Sequence, residues 1–63
     1  MCLSTAYDVG GGSEKFIADR ITNVSIEGDK VRLTTLLGTQ TLIEGMLKSI
    51  DLNKNAIYIE AKQ

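Results

Sequence analysis

The stretch Val31-Arg32-Leu33-Thr34-Thr35-Leu36-Leu37 decides the fold class of this chain. Apolar and β-branched residues, beginning with Val31 and Leu33, fall at every second position, which is the period of a β-strand with one buried face. The β-branched content also favours a strand. Turn-forming residues bound the stretch on both sides, Glu27-Gly28-Asp29-Lys30 before it and Gly38-Thr39 after it. We therefore predict a strand over residues 31–37, with Val31, Leu33, Thr35 and Leu37 on one face.

The same short alternation recurs along the chain, separated by residues that favour turns. Ile57 and Ile59 lie opposite Tyr58, and Val24 and Ile26 alternate with polar residues. Short strands at regular spacing are typical of an all-β sandwich or barrel. We predict a small antiparallel β-barrel or sandwich of six or seven short strands, with strand-like segments over about residues 2–9, 14–19, 22–26, 31–37, 40–44, 46–52 and 56–60.

Two of these segments also fit a short helix. Ser13 could cap a helical turn that carries Phe16 and Ile17, and Met46 and Ile50 follow a helical spacing. Both segments are shorter than a stable isolated helix and lie between strand-like segments, so the strand interpretation is preferred.

Length and composition limit the chain to one domain over residues 1–63 and exclude most classes of enzyme. A chain of this size buries only about 60% of the surface that its unfolded form exposes, so small domains often add disulfides, a metal or a second subunit. The single cysteine cannot form an internal disulfide, which leaves a metal or a second copy. Since the chain has no histidine, it cannot form a Ser-His-Asp triad or an imidazole-rich zinc site. We expect no catalytic activity.

The charge pattern argues against nucleic acid as a partner. Seven Lys and Arg residues against eight Asp and Glu residues give a net charge of −1. The basic residues are scattered, whereas nucleic-acid binding requires a concentrated cationic face. No apolar run approaches the roughly 18 residues that a membrane span needs, and an unpaired cysteine suits a reducing compartment. We expect a cytoplasmic protein that binds no membrane.

Several other features are best explained as structural. Gly10-Gly11-Gly12 lacks the spacing of a phosphate-binding loop and predicts a flexible hairpin loop. The hydroxyls of Thr34 and Thr35 have no base to activate them. The carboxylates lie mostly at turns or strand ends, as surface charges do. The aromatic residues are too few and too separated to stack bases, so we expect core or interface packing for Tyr7, Phe16 and Tyr58.

Cys2 is the residue with the most chemistry available to it. A lone cysteine is more often a small buried hydrophobe than a ligand, but beside a chain terminus it offers several donor atoms together. The Cys2 thiolate and its backbone nitrogen close a chelate ring on a metal. If Met1 is retained, its α-amine adds a second ring; if Met1 is removed, the amine of Cys2 takes the nitrogen role directly. This donor set suits Ni(II) or Cu(II), which favour square-planar geometry, while thiolate softness also admits Zn(II) or Cu(I).

A two-fold dimer would complete such a site. It would bring two copies of Cys2 to the symmetry axis and give one metal two thiolates and two nitrogens. A metal held only by the folded dimer would also stabilise that dimer.

Three stretches of the chain resemble the CooT family: Met1-Cys2, residues 31–37, and Ile50-Asp51-Leu52 before the final Ile57-Tyr58-Ile59-Glu60. CooT proteins are small nickel-binding proteins linked with maturation of nickel-containing carbon monoxide dehydrogenase. The resemblance covers nearly the whole chain. It implies a small all-β homodimer that binds about one Ni(II) per dimer, with Cys2 matching the family's ligand.

Our leading hypothesis is therefore a nickel-binding metallochaperone or storage protein. Cys2 of both subunits, with Met1 beside it, would hold the metal, and a nickel enzyme or its maturation machinery would be the partner. The alternative is a small-barrel RNA- or protein-binding module in which Cys2 is only structural.

Overall fold

The computed structural model describes residues 3–62. Across these residues the chain is all-β and forms five strands. They are β1 (Ser4–Asp8), β2 (Lys15–Glu27), β3 (Lys30–Thr35), β4 (Gln40–Asp51) and β5 (Ala56–Ala61). No helix in this part of the chain is long and apolar enough to cross a membrane.

The five strands follow one another in a closed ring within the described residues. Successive strands pair antiparallel, as expected. The pair that closes the ring is different, because β1 and β5 run parallel, with Tyr7 opposite Tyr58. The expectation of a purely antiparallel sheet is therefore wrong at this one seam. Because the ring is closed, each of the five described strands pairs with two neighbouring strands.

The prediction of six or seven short strands is also wrong, because two pairs of predicted strands are each one longer strand. Residues 14–19 and 22–26 lie in β2, and residues 40–44 and 46–52 lie largely in β4. In β2 the break is a β-bulge: the register against β1 shifts, and Arg20 has a positive φ of 54°. A bulge bends a strand without ending its pairing, which allows one strand to turn a corner of a small ring. In β4, Gly45 stays paired with Ala61.

The core fills the inside of the ring and confirms the alternation predicted for β3 and β5, whereas Ile26 on β2 is 62% exposed. Val31 and Leu33 on β3 are fully buried, and on β5 Ile57 and Ile59 are buried with Tyr58 on the opposite face. Burying each such aliphatic side chain contributes about 1.5–3 kcal/mol. The buried apolar residues are Ala6, Ile21, Val31, Leu33, Ala56, Ile57 and Ile59.

The strand predicted over residues 31–37 ends two residues early, at Thr35. Leu36 and Leu37 lie in the turn that follows, where the amide of Gly38 donates a hydrogen bond to the carbonyl of Thr35 (2.9 Å). Leu37 is 79% exposed rather than buried. Both segments that also fitted a helix lie mainly in strands, β2 and β4, which confirms the strand interpretation.

Candidate functional site

The two predicted metal ligands, Met1 and Cys2, lie outside the described residues. Within residues 3–62, no three His, Cys, Asp or Glu side chains lie together in a way that could hold a metal ion. The described strand nearest to them in sequence is β1, which begins at Ser4.

Ser4 begins β1 at one end of the ring. It is paired with Ile21 of β2, and the next residue, Thr5, is paired with Ala56 of β5. The amide of Thr5 donates a hydrogen bond to the carbonyl of Asn55 in the β4–β5 turn (2.9 Å). The start of β1 is thus fixed on two sides, beside the turn that joins β4 to β5.

A shallow groove of about 180 Å³ lies at this end of the ring, which we call the N-terminal groove. None of its lining residues carries a charge, and two of its apolar side chains are largely open to solvent: Ile50 is 43% exposed and Leu52 is 80% exposed. The groove is lined by Ser4, Ile21, Thr22, Asn23, Val24, Ile50, Leu52 and Ile57.

The opposite end of the ring is fastened by a carboxylate. Oδ1 of Asp8 accepts hydrogen bonds from the amides of Gly10 (2.9 Å) and Ala61 (3.2 Å), which joins the end of β1 to the end of β5. These two amide donors, with a smaller contribution from the charge of Lys15, hold the pKa of Asp8 below its ordinary value. Asp8 therefore links the ends of β1 and β5, a structural role that the expectation of a surface charge did not include.

Gly45 lies at the same end, opposite Ala61. A methyl group on Gly45 would collide with the carbonyl oxygen of Glu60 and would lie 2.7 Å from Cα of Ala61. Only glycine allows β4 and β5 to approach this closely here. Gly10-Gly11-Gly12 forms the connection between the antiparallel strands β1 and β2, which confirms the predicted hairpin loop.

Basic residues lie beside acidic ones on the outer face of the ring. Nε of Arg32 is 2.8 Å from Oε2 of Glu27, and Arg20 pairs with Asp19 at 3.6 Å. The hydrogen bonds from Arg32 lower the pKa of Glu27, and Glu27 in turn raises the pKa of Arg32. Lys30 lies opposite Glu44 in the sheet. This pairing of opposite charges does not suit a phosphate backbone.

Two of the three aromatic residues are stacked on each other. The rings of Tyr7 and Tyr58 lie 5.9 Å apart with an angle of 25° between their planes, across the parallel seam of β1 and β5. Both side chains are half-buried on the outer face of the sheet, so the expectation of core packing is wrong for this pair, and interface packing stays a prediction. Phe16 is 64% exposed and lines another surface groove with Leu36 and Leu37.

Sequence reasoning did not identify the N-terminal groove. One signal was available in the sequence, since Leu52 is a large apolar residue placed directly before the turn-forming run Asn53-Lys54-Asn55. The other residues of the groove come from distant parts of the chain, so only the ring brings them together.

Three comparisons place the chain among known proteins. Residues 1–60 match the family model described as "CO dehydrogenase accessory protein CooT". An uncharacterized protein of Methanothermobacter thermautotrophicus is 34% identical over 62 residues, which cover 98% of this chain and 92% of that protein. The crystal structure described as "putative CooT from Carboxydothermus hydrogenoformans" superimposes with a TM-score of 0.87 at 21% identity, covering 98% of this chain and 100% of that one. At that identity the structural match establishes the fold.

Proposed function

This chain belongs to the CooT family of CO dehydrogenase accessory proteins, and we propose that it binds Ni(II) and stores it or supplies it for maturation of that enzyme. The observation that carries the proposal is the family match over residues 1–60, a range that includes Cys2, the only cysteine of the chain. An accessory protein for a metalloenzyme requires a site for its cargo, and thiolate and nitrogen donors suit nickel.

In this proposal the cargo is held by the thiolate and backbone nitrogen of Cys2, with the α-amine of Met1 as a further donor. One chain offers a single thiolate, so one Ni(II) is shared by the Cys2 residues of two copies related by a two-fold axis. The residues of the ring position this site rather than ligate the metal. They fix the start of β1 through the pairing of Ser4 with Ile21 and of Thr5 with Ala56.

An RNA-binding role receives no support from the described surface. Arg32 is engaged by Glu27, Arg20 by Asp19, and Lys30 lies opposite Glu44. Tyr7 and Tyr58 stack on each other, so one face of each ring is covered by the other ring.

A nickel titration of freshly reduced protein tests the proposal. We expect binding to saturate at about half a Ni(II) per chain, as one metal on a two-fold axis requires. A thiolate-to-nickel absorption band should rise with it. In the Cys2→Ser variant, binding and band are both lost. Ser4→Ala is the matched control, because it removes a polar side chain close by in the sequence without touching the donor set, and it is expected to bind as the wild type does. Unchanged nickel affinity in Cys2→Ser would overturn the proposal.

A further inference from the structure

We propose that the first part of β2, residues 15–19, is an open sheet edge at which a partner protein adds one extended segment as a further strand. We call this stretch the open edge. The proposal goes beyond nickel binding and uses no residue of the predicted metal site, so either proposal can fail without the other.

The open edge exists because β2 pairs with its two neighbours over different parts of its length. Within residues 3–62, residues 15–18 pair with β1 alone, and pairing with β3 begins only at Ile21. Between these parts lies Arg20, with its positive φ of 54°. The carbonyl of Arg20 accepts a hydrogen bond from the amide of Leu36 (2.9 Å), and β3 has already ended at Thr35. No described strand therefore covers this side of β2 before the bulge.

The direction of the backbone shows which groups of the open edge have no partner. The amide of Val9 donates a hydrogen bond to the carbonyl of Ile59 on β5 (2.9 Å). Successive residues of a strand turn their backbone groups to opposite sides, so Asp8 turns toward β2, where it lies opposite Lys15. Lys15 then turns back toward β1, and Phe16 turns away from β1. Among the described residues, no backbone hydrogen bond outside the ladders reaches Phe16, so its N–H and C=O are left for an added strand.

The groove that Phe16 shares with Leu36 and Leu37 lies beside the open edge. Phe16 belongs to β2, and the two leucines lie in the turn after β3. The three side chains are 64%, 55% and 79% exposed. The groove has a volume of about 210 Å³, and a cavity of about 150 Å³ already holds a benzene-sized group. An apolar side chain of an added strand therefore has a place to bind.

Free backbone groups and an adjoining groove together specify an extended polypeptide. Strand addition takes its affinity from main-chain hydrogen bonds and its specificity from pockets for alternate side chains. A helix already uses its backbone groups in its own hydrogen bonds, so it would leave those of Phe16 without a protein partner. The added strand is therefore expected to carry apolar residues at alternate positions, one of them placed between Phe16 and Leu37.

A second copy of this chain suits the open edge less well than a different protein does. Its own edge segment does not alternate, because Ile17 and Ala18 both pack against the core. Charged residues, Lys15 and Asp19, lie on either side of these two. A second copy would therefore offer only Phe16 to the groove, and charges on an exposed edge are a known means of limiting pairing between edges.

The test uses a synthetic peptide of alternating valine and threonine with blocked ends, titrated into the full chain in a metal chelator and followed by amide NMR. The matched control peptide carries N-methyl groups on two adjacent central residues, which removes a donor from each edge of the strand. We expect the unmodified peptide to shift the amides of residues 15–19 and 36–39 and to slow hydrogen exchange at the amide of Phe16. The control peptide is expected to bind about tenfold more weakly or less, as the loss of a hydrogen bond implies.

Two variants of one residue separate the backbone from the side chain. Phe16→Pro and Phe16→Ala both remove the ring, but only the proline also removes the outward N–H, which no described ladder bond uses. We expect Phe16→Pro to bind the peptide at least about tenfold more weakly than Phe16→Ala does. If the spectrum of Phe16→Pro shows that it does not fold, Leu37→Asp on the other wall of the groove replaces it, and unchanged peptide affinity in that variant counts against the proposal.

Three results would overturn the proposal. The first is an absence of shifts over residues 15–19 with the unmodified peptide in large excess. The second is equal affinity for the two peptides, or equal affinity of Phe16→Pro and Phe16→Ala, which would indicate an apolar patch rather than a sheet edge. The third is a set of shifts at the same amides that grows with protein concentration in the absence of peptide, which would assign the edge to a second copy.

Failure here is distinguishable from failure of the nickel proposal. Cys2→Ser is expected to bind the peptide as the wild type does, and Phe16→Pro is expected to bind nickel as the wild type does. Peptide binding that disappears in Cys2→Ser would count against an independent edge.

Discussion

The two ends of the ring are built in opposite ways. The end that contains Asp8, Gly45 and Ala61 is held by hydrogen bonds from backbone amides to a carboxylate and by a strand approach that only glycine allows. We call this the clamped end. At the N-terminal groove the backbone is also paired, but apolar side chains such as Leu52 remain open to solvent. Exposed apolar side chains occur at the clamped end as well, where Ile26 and Met46 lie beside Gly45, so the two ends differ in how the backbone is fastened.

This difference predicts that substitutions at the two ends have different effects on the stability of the folded chain. Changes at the clamped end should alter the folding of a single chain, because its contacts are intramolecular. Changes at the N-terminal groove should leave the unfolding free energy of a single chain nearly unchanged, because its exposed side chains contribute little to the folded monomer. Three substitutions test this separation.

Gly45→Ala is expected to have the largest effect. The added methyl group would strike the backbone of Glu60 and Ala61, and backbone cannot rotate away as a flexible side chain can. We expect a loss of about 3 kcal/mol in the free energy of unfolding, measured by urea denaturation. Gly11→Ala is the matched control, since nothing lies within 4 Å of its added methyl, and it should change stability by less than about 0.5 kcal/mol. Equal losses in the two variants would contradict the tight approach of β4 and β5.

Asp8→Asn is expected to have an intermediate effect that depends on pH. Backbone amides of Gly10 and Ala61 lower the pKa of Asp8, so its ionised form is favoured in the folded chain. The stabilisation is present above the ordinary carboxyl value of 3.8 and is lost as pH falls through the lowered pKa. The variant should be less stable than the wild type near neutral pH and should approach it in acid.

Thermal melts of Asp8→Asn across this acid range provide the measurement. Glu60→Gln, on the exposed face of β5, serves as the control for removing one negative charge. A constant difference between Asp8→Asn and the wild type at every pH would show that the carboxylate charge does not contribute to the clamp.

Leu52→Ser is expected to have the smallest effect on the single chain. Its side chain is 80% exposed, so the unfolding free energy of the dilute monomer should change by no more than about 0.5 kcal/mol. Calorimetry of the dilute chain gives this quantity. A large loss of monomer stability would contradict the expected difference between the two ends.

The fold class could be predicted from sequence because its signals are local. Val31 and Leu33 are buried, and Arg32 between them points outward to Glu27. Alternation records which face of a strand meets the core, and glycine-containing turns mark where strands end. The hairpin loop at residues 10–12 was predicted correctly for the same reason.

The errors arose where pairing overrides local sequence. Arg20 interrupts the alternation of β2, yet the strand continues through a bulge because β1 and β3 hold it on both sides. Gly45 looks like a strand end but is needed within β4 for close packing. The parallel pairing of β1 with β5 joins segments about 50 residues apart. Nothing in the sequence of either segment identifies the other as its partner.

The candidate site also has one part that can be predicted from sequence and one part that cannot. Donor chemistry at Cys2 can be reasoned from residue type, since a thiolate and backbone nitrogen bind metals whatever the fold. That interpretation stays a prediction, because Cys2 lies outside residues 3–62. The N-terminal groove could not be found from sequence, since Ser4, Asn23 and Leu52 come together only in the closed ring.

The parallel seam between β1 and β5 also bears on the order in which the chain folds. A ribosome makes β1 first and β5 last of the five, so the pairing of β1 with β5 can form only after the rest of the ring has been synthesised. Contacts between such distant segments slow folding, because the loop entropy is lost before the contacts form. The seam is therefore the last pair of the ring to close, although β1 can pair with β2 before then. A chain truncated before β5 would keep the antiparallel pairs of β1 to β4 but would leave the ring open.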